Sequence, residues 1–150
     1  MKKINVRKIN YLWSILSLGV ATDQRTNNVT LFSVVEQIKF PRKKLIQSKE
    51  KDILAVPIEL NFTMLFKKFG ERDVKANIRI DLVDPAGKVL QEFDHELMIA
   101  KENRRTRFSI GMAGLRVTKS GDYLFRIKVL NSDTKDYEVV GGTELQIDLI

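Results

Sequence analysis

Not one of the 150 residues of this chain is cysteine. That removes disulfides, thiolate metal sites and cysteine nucleophiles together. Histidine occurs once, at His95, so any Ser-His-Asp triad would have to use that residue. Long apolar runs are missing too: the stretch Tyr11 to Leu18 is interrupted by Ser14 and Ser17 and falls well short of the ~20 residues a bilayer span needs. No glycine loop of the phosphate-cradling kind is present, because Gly141, Gly142 and Thr143 precede a strand-like run and no lysine follows them. They read as a bulge or turn. No helical period, internal repeat or low-complexity segment stands out. No cofactor is expected.

What the chain does contain is an ordinary globular composition, 43% hydrophobic and 30% charged. A chain of this length buries roughly 70% of its unfolded surface, enough for one self-sufficient domain over residues 1–150. Lysine and arginine number 26 against 19 acidic residues, a net +7. Such a surface attracts polyanions or acidic protein faces.

The first residues allow two readings. Lys2, Lys3, Arg7 and Lys8 lead into an apolar stretch ending near Gly19 and Ala21, the outline of a secretory signal. Against this, Leu12, Leu16, Leu18 and Val20 recur with period two, as the buried face of a strand would. The polar cluster from Thr22 to Asn28 then turns the chain into a second β-branched run from Val29 to Phe40, completing a hairpin. The hairpin reading is preferred and carries a cytoplasmic location with it; export follows only if residues 1–21 are a cleaved signal.

Downstream, alternation is regular. The Pro41-initiated, lysine-rich connection predicts a loop with at most one helical turn, after which Val56, Ile58, Leu60, Phe62 and Met64 share one side of a strand. Ala76, Ile78, Ile80 and Leu82 do the same in the next. The segment Asp84-Pro85-Ala86-Gly87 predicts a tight hairpin, with Pro85 supplying the φ of a type I turn and Gly87 the positive φ after it. A returning strand runs from Val89 to about Ala100, and later strands place Tyr123, Phe125, Ile127 and Val129, then Leu145, Ile147 and Leu149, on buried faces.

Eight or nine strands with turns between them predict an all-β fold of two packed antiparallel sheets. The run Leu115, then Ser120, Gly121, Asp122 and Tyr123, followed by alternating apolar residues, resembles the corner of immunoglobulin-like or Greek-key sandwiches. That resemblance implies a sandwich topology, with Tyr123 hydrogen-bonding back across the turn. The layout is also similar to small bacterial sandwich proteins, which implies a fold and no activity.

Candidate chemistry is thin. His95 lies between Asp94 and Glu96, but strand neighbours point to opposite faces, so the three do not converge. His95 falls in register with Phe93, Leu97 and Ile99, as a hydrogen-bonded core or boundary residue. Glu92, Asp94 and Glu96 share a face, where Arg79 comes opposite Glu92 or Asp94 and pairs with it. The triplets at Asn28 and Asn61 match the glycosylation sequon by chance and are given no role.

Basic clusters remain: Arg42, Lys43 and Lys44; Lys49 and Lys51; Lys67, Lys68 and Arg72; and Arg104, Arg105 and Arg107, all expected in loops. Gathered at one end, they would make an anion- or partner-binding face. The expected function is therefore a non-catalytic binding or accessory module that meets a protein partner through loops or a sheet edge. The competing reading is a basic nucleic-acid binder, weakened because most of the phenylalanines alternate inward rather than standing free to stack on bases.

Overall fold

A computed structural model describes residues 8–150, which leaves the basic lead of Lys2, Lys3 and Arg7 outside the described residues. Ten strands follow in order: β1 (Ile9–Thr22), β2 (Val29–Val34), β3 (Gln37–Phe40), β4 (Ile46–Gln47), β5 (Leu54–Lys68), β6 (Val74–Val83), β7 (Val89–Ile99), β8 (Arg105–Val117), β9 (Gly121–Leu130) and β10 (Tyr137–Leu149). A single 3₁₀ turn, Arg42–Lys44, is the one helical turn that the Pro41 connection predicts.

The strands divide into two five-stranded sheets. In the first, β5 is central: β8 runs along one edge, while β1 and the short β4 share the other, and β2 extends β1. In the second the order is β3-β10-β9-β6-β7, antiparallel except where β3 joins β10. From β5 onward the chain crosses to β6 and β7, returns to β8, and crosses again to β9 and β10. This is the Greek-key connectivity of an immunoglobulin-like sandwich.

Tyr123 confirms the corner. Fully buried at the start of β9, its hydroxyl donates to the Lys119 carbonyl (2.6 Å) and accepts from the amides of Thr118 (2.9 Å) and Lys119 (3.1 Å). The opposite turn also matches its chemistry: the Gly87 amide donates to the Asp84 carbonyl at 2.9 Å, and Gly87 has φ 90°. Pro85 of that turn lies against Gly121, where any Cβ would meet the proline ring within 3 Å. The two turns are thereby locked together at one end of the sandwich, with Thr118 Oγ1 donating to Asp84 Oδ2 (2.7 Å).

Between the sheets, Leu16, Leu60, Phe62, Met64, Phe66, Ile78, Ile80, Leu82, Phe125, Ile127, Leu145 and Ile147 are all essentially inaccessible. These are the period-two faces, because side chains alternate across each strand. Sheet one is joined to sheet two along β1 and β10: the Tyr11 ring lies directly on Gly141, and Ser14 Oγ and Thr143 Oγ1 are 2.6 Å apart. The bulge of β10 falls at Val140, between Val139 and Gly141; the glycine pair itself is in the ladder, opposite Ile127 and Arg126.

Several expectations need correction. The run from Val29 to Phe40 is two strands that belong to different sheets, broken at Val35 and Glu36. The first strand does not keep one buried face. A bulge between Tyr11 and Trp13 shifts its period, so Tyr11, Ser14 and Leu16 turn inward while Leu18 is half exposed. Beyond Ser17, β1 leaves β5 with β2 alone, kinked where Ser33 adopts φ 52°. The hairpin then folds back over the outer face of sheet one. Its tip reaches Arg107, whose Nη2 donates to the Asn27 carbonyl at 2.9 Å, and beneath it Ser17 and Thr63 are fully buried although both belong to that outer face.

Candidate interaction surface

Two of the basic clusters lie at opposite ends of the molecule. Arg42, Lys43 and Lys44 precede β5, at the end that holds the Asp84–Lys88 and Thr118–Ser120 turns; the Arg42 amide bonds the Ile150 carbonyl there. Arg104 and Arg105 follow β7, at the other end. β5 alone is 15 residues long, so the two groups stand roughly 45 Å apart at ~3.3 Å per residue. A single basic face from gathered loops is therefore ruled out for these residues. Three antiparallel strands separate the two connections, and an odd count puts them at opposite ends, a signal that was present in the alternation itself.

Nor do the arginines all sit in a loop. The β7–β8 turn is confined to Lys101–Arg104, while Arg105 and Arg107 belong to β8. Their register places Arg105 directly opposite Lys67 and Arg107 opposite Leu65, with Asn10 of β1 on the far side of Lys67. Residues so paired share a face, with Cβ atoms about 4.5–5.5 Å apart, and like charges facing each other destabilise a sheet. Lys67 and Arg105 do just this. Arg104 stands at the strand entrance, its carbonyl accepting from the Lys68 amide. Lys68 leaves the cluster altogether: it is buried, and its ammonium donates to the carbonyls of Arg72, Ala100 and Lys101 at 3.2, 2.8 and 2.9 Å. It ties the β5–β6 and β7–β8 turns together instead of facing solvent.

β8 is also an edge. Among the described residues its ladder partner is β5 alone. Near its end the flank is closed by β7: the Arg116 guanidinium bonds the Leu90 carbonyl (3.2 Å) and Glu50 (3.4 Å), and the Arg116 amide bonds Gln91 (3.4 Å). At the middle, Ser109, Gly111 and Ala113 present small side chains on the outer face. The result is a strand edge flanked by cations at its start and sealed at its finish.

The outer face of sheet two carries the opposite arrangement, one of paired charges. Arg79 is directly opposite Asp94, with Nε to Oδ1 at 2.8 Å, and its guanidinium lies 4.3 Å from the Tyr137 ring centre. Asp81 is fully buried under Lys128 (2.7 Å) and Arg126 (2.9 Å). Burial pushes its carboxyl up, but the hydrogen bonds from Lys128 and Arg126 outweigh this and hold it below the ordinary carboxylate range. Asp84 is likewise held low: burial opposes ionisation, while the Thr118 hydroxyl and the Lys88 and Ala86 amides favour it more. Asp81 and Asp94 are thus structural ion pairs, and Asp84 is a hydrogen-bonded turn residue.

His95 does face the same way as Phe93, but it is exposed at the boundary, its ring stacked on Phe108 at 4.3 Å between the centres. It is not a core residue, because β7 overhangs the edge of sheet one at that point. Among the described residues no group of three His, Asp or Glu side chains is placed to hold a metal ion. No described helix is long and apolar enough to cross a membrane.

No protein-family model matches the chain, and no curated protein does. Among solved structures it is similar to an immunoglobulin-like protein from Pseudomonas aeruginosa, at 11% identity and TM-score 0.35, covering 94% of this chain and 97% of that one. It is also similar to part of a β-glucosidase from Listeria innocua, at 12% identity and TM-score 0.41, covering 92% of this chain and 17% of the glucosidase. Against a β-glucuronidase of glycoside hydrolase family 2 the values are 8% and 0.41, and the chain spans 11% of that enzyme.

Proposed function

We propose that the protein is a non-catalytic binding module that takes an extended acidic segment of a protein partner along the start of β8, around Arg105–Arg107, where among the described residues β5 is the only strand paired with it. The carrying observation is the cationic pair Lys67–Arg105, with Arg107 two residues along the same face, set beside an unpartnered strand edge. Strand addition supplies main-chain hydrogen bonds without regard to sequence, and specificity comes from alternate side chains on one face. On β8 those alternate positions face cations, so acidic residues at every second position of the incoming strand relieve the Lys67–Arg105 repulsion. Steering by the net +7 raises the rate of encounter with such a partner.

Nucleic acid is the second reading, favoured by the same arginines. Against it, Phe108, the aromatic residue between Arg107 and Ser109, turns inward onto Phe66 and His95 and offers no base a platform.

Capture from the native source separates the two. The parent retains its partner after nuclease treatment, while a variant with Arg104, Arg105 and Arg107 all changed to Glu, melting as the parent does, loses it. Loss of the partner on nuclease treatment, or retention by the variant, overturns the reading.

A further inference from the structure

At the Arg104 end of the sandwich the β6–β9 ladder stops at Ile78 opposite Val129. β6 runs on through Asn77, Ala76 and Lys75 with β7 as its ladder partner among the described residues, while β9 turns away at Asn131. A cleft opens between the two. Its lining combines apolar Ile9, Ala76, Val129, Leu130 and Val140 with Lys8 and Lys75, whose side chains are exposed and so mark its rim.

The cleft is preformed. Its far wall is a closed turn in which the Asn131 amide bonds the Asp136 carbonyl (2.8 Å), the Lys135 amide bonds the Asn131 carbonyl (2.8 Å), and Asn131 Oδ1 accepts from the Asp133 amide (2.9 Å). The one carboxylate of the lining, Glu138, is engaged by Asn131 Nδ2 at 3.0 Å. Among the described residues neither rim ammonium has a carboxylate within ion-pair distance.

We infer that this cleft binds a short aliphatic carboxylate, its chain on the apolar floor and its carboxylate between Lys8 and Lys75. The size follows from the cavity: about 70 Å³ holds on the order of five water-sized groups, a chain of four or five carbons. Apolar lining with a few convergent polar groups is the ordinary composition of small-ligand sites. The carboxylate can belong to a free acid or to the terminal residue of a polypeptide; both carry the same chemistry.

The test is an amide-resolved NMR titration of the full chain with pentanoate, pentanamide, acetate and N-acetylleucine. Pentanoate shifts the amides of Ala76, Asn77, Leu130 and Ser132, and binds at least tenfold more tightly than pentanamide or acetate. Changing Lys8 and Lys75 together to Gln, both on the surface and outside the core, erases the tenfold preference over pentanamide. N-acetylleucine binding above pentanoate assigns the site to a chain end, and the reverse order to a free acid. Equal response to pentanoate and pentanamide, or shifts spread over the lysine-bearing turns at both ends, overturns the proposal.

Discussion

Among the described residues, the Tyr123 hydroxyl gathers more hydrogen bonds than any other side-chain group of the corner between β8 and β9. It makes three hydrogen bonds to a turn whose amides have no strand partner. Changing Tyr123 to Phe removes the oxygen and strands the Thr118 and Lys119 groups; a loss of about 1–3 kcal/mol is expected in denaturant melts. Asp81 makes a second test at this scale. Its folded pKa lies below the unfolded value, so the stability it contributes is complete above about pH 4 and disappears as pH falls through the lowered value. Asp84 has the same sign. Melts from pH 7 down to pH 2 are therefore expected to show a steep acid limb beginning below about pH 4. Asp81→Asn leaves Arg126 and Lys128 without their anion, at a cost of about 3–5 kcal/mol at pH 7, and flattens that limb.

At the scale of elements, β10 is flanked by both β3 and β9 and carries Leu145, Ile147 and Leu149 into the core. Burying three such side chains is worth on the order of 5–8 kcal/mol, comparable to the stability of a domain. Deletion of Leu145–Ile150 is expected to abolish the cooperative melt; a truncated chain melting within a few degrees of the parent would show that the strand is dispensable. The end of β10, from Leu145, is also where the sequence was most legible, along with β6, β9 and β5 from Leu60, because each of these stretches has one face in a continuous core and so alternates with period two. Legibility fails where that condition fails. β1 serves two partners in turn and bulges to do so, and the β2–β3 break at Val35 and Glu36 carries no glycine or proline to mark it. Arg105 and Arg107 read as loop because charge dominates the segment, yet β5 supplies a full ladder for them. Lys68 was illegible for a different reason: only the folded turns bring three carbonyls to one ammonium.

For the whole molecule, the sandwich separates its charges by end and by face. Sheet two neutralises its outer face with the pairs of Arg79, Arg126 and Lys128, while the start of β8 leaves Lys67 and Arg105 opposed. That contrast is why the interaction surface is assigned to sheet one. The most direct measurement is the affinity of the intact protein for a synthetic peptide of alternating Glu and Val, read by fluorescence anisotropy over a salt series. A single-stranded oligonucleotide of equal charge serves as the comparison. The account predicts that the peptide binds more tightly than the oligonucleotide and weakens with salt. It further predicts that binding is lost on methylating the peptide's edge-facing amides, and lost again in the Arg105→Glu, Arg107→Glu variant. An oligonucleotide that outcompetes the peptide, or a methylated peptide that binds as well as the parent peptide, contradicts it.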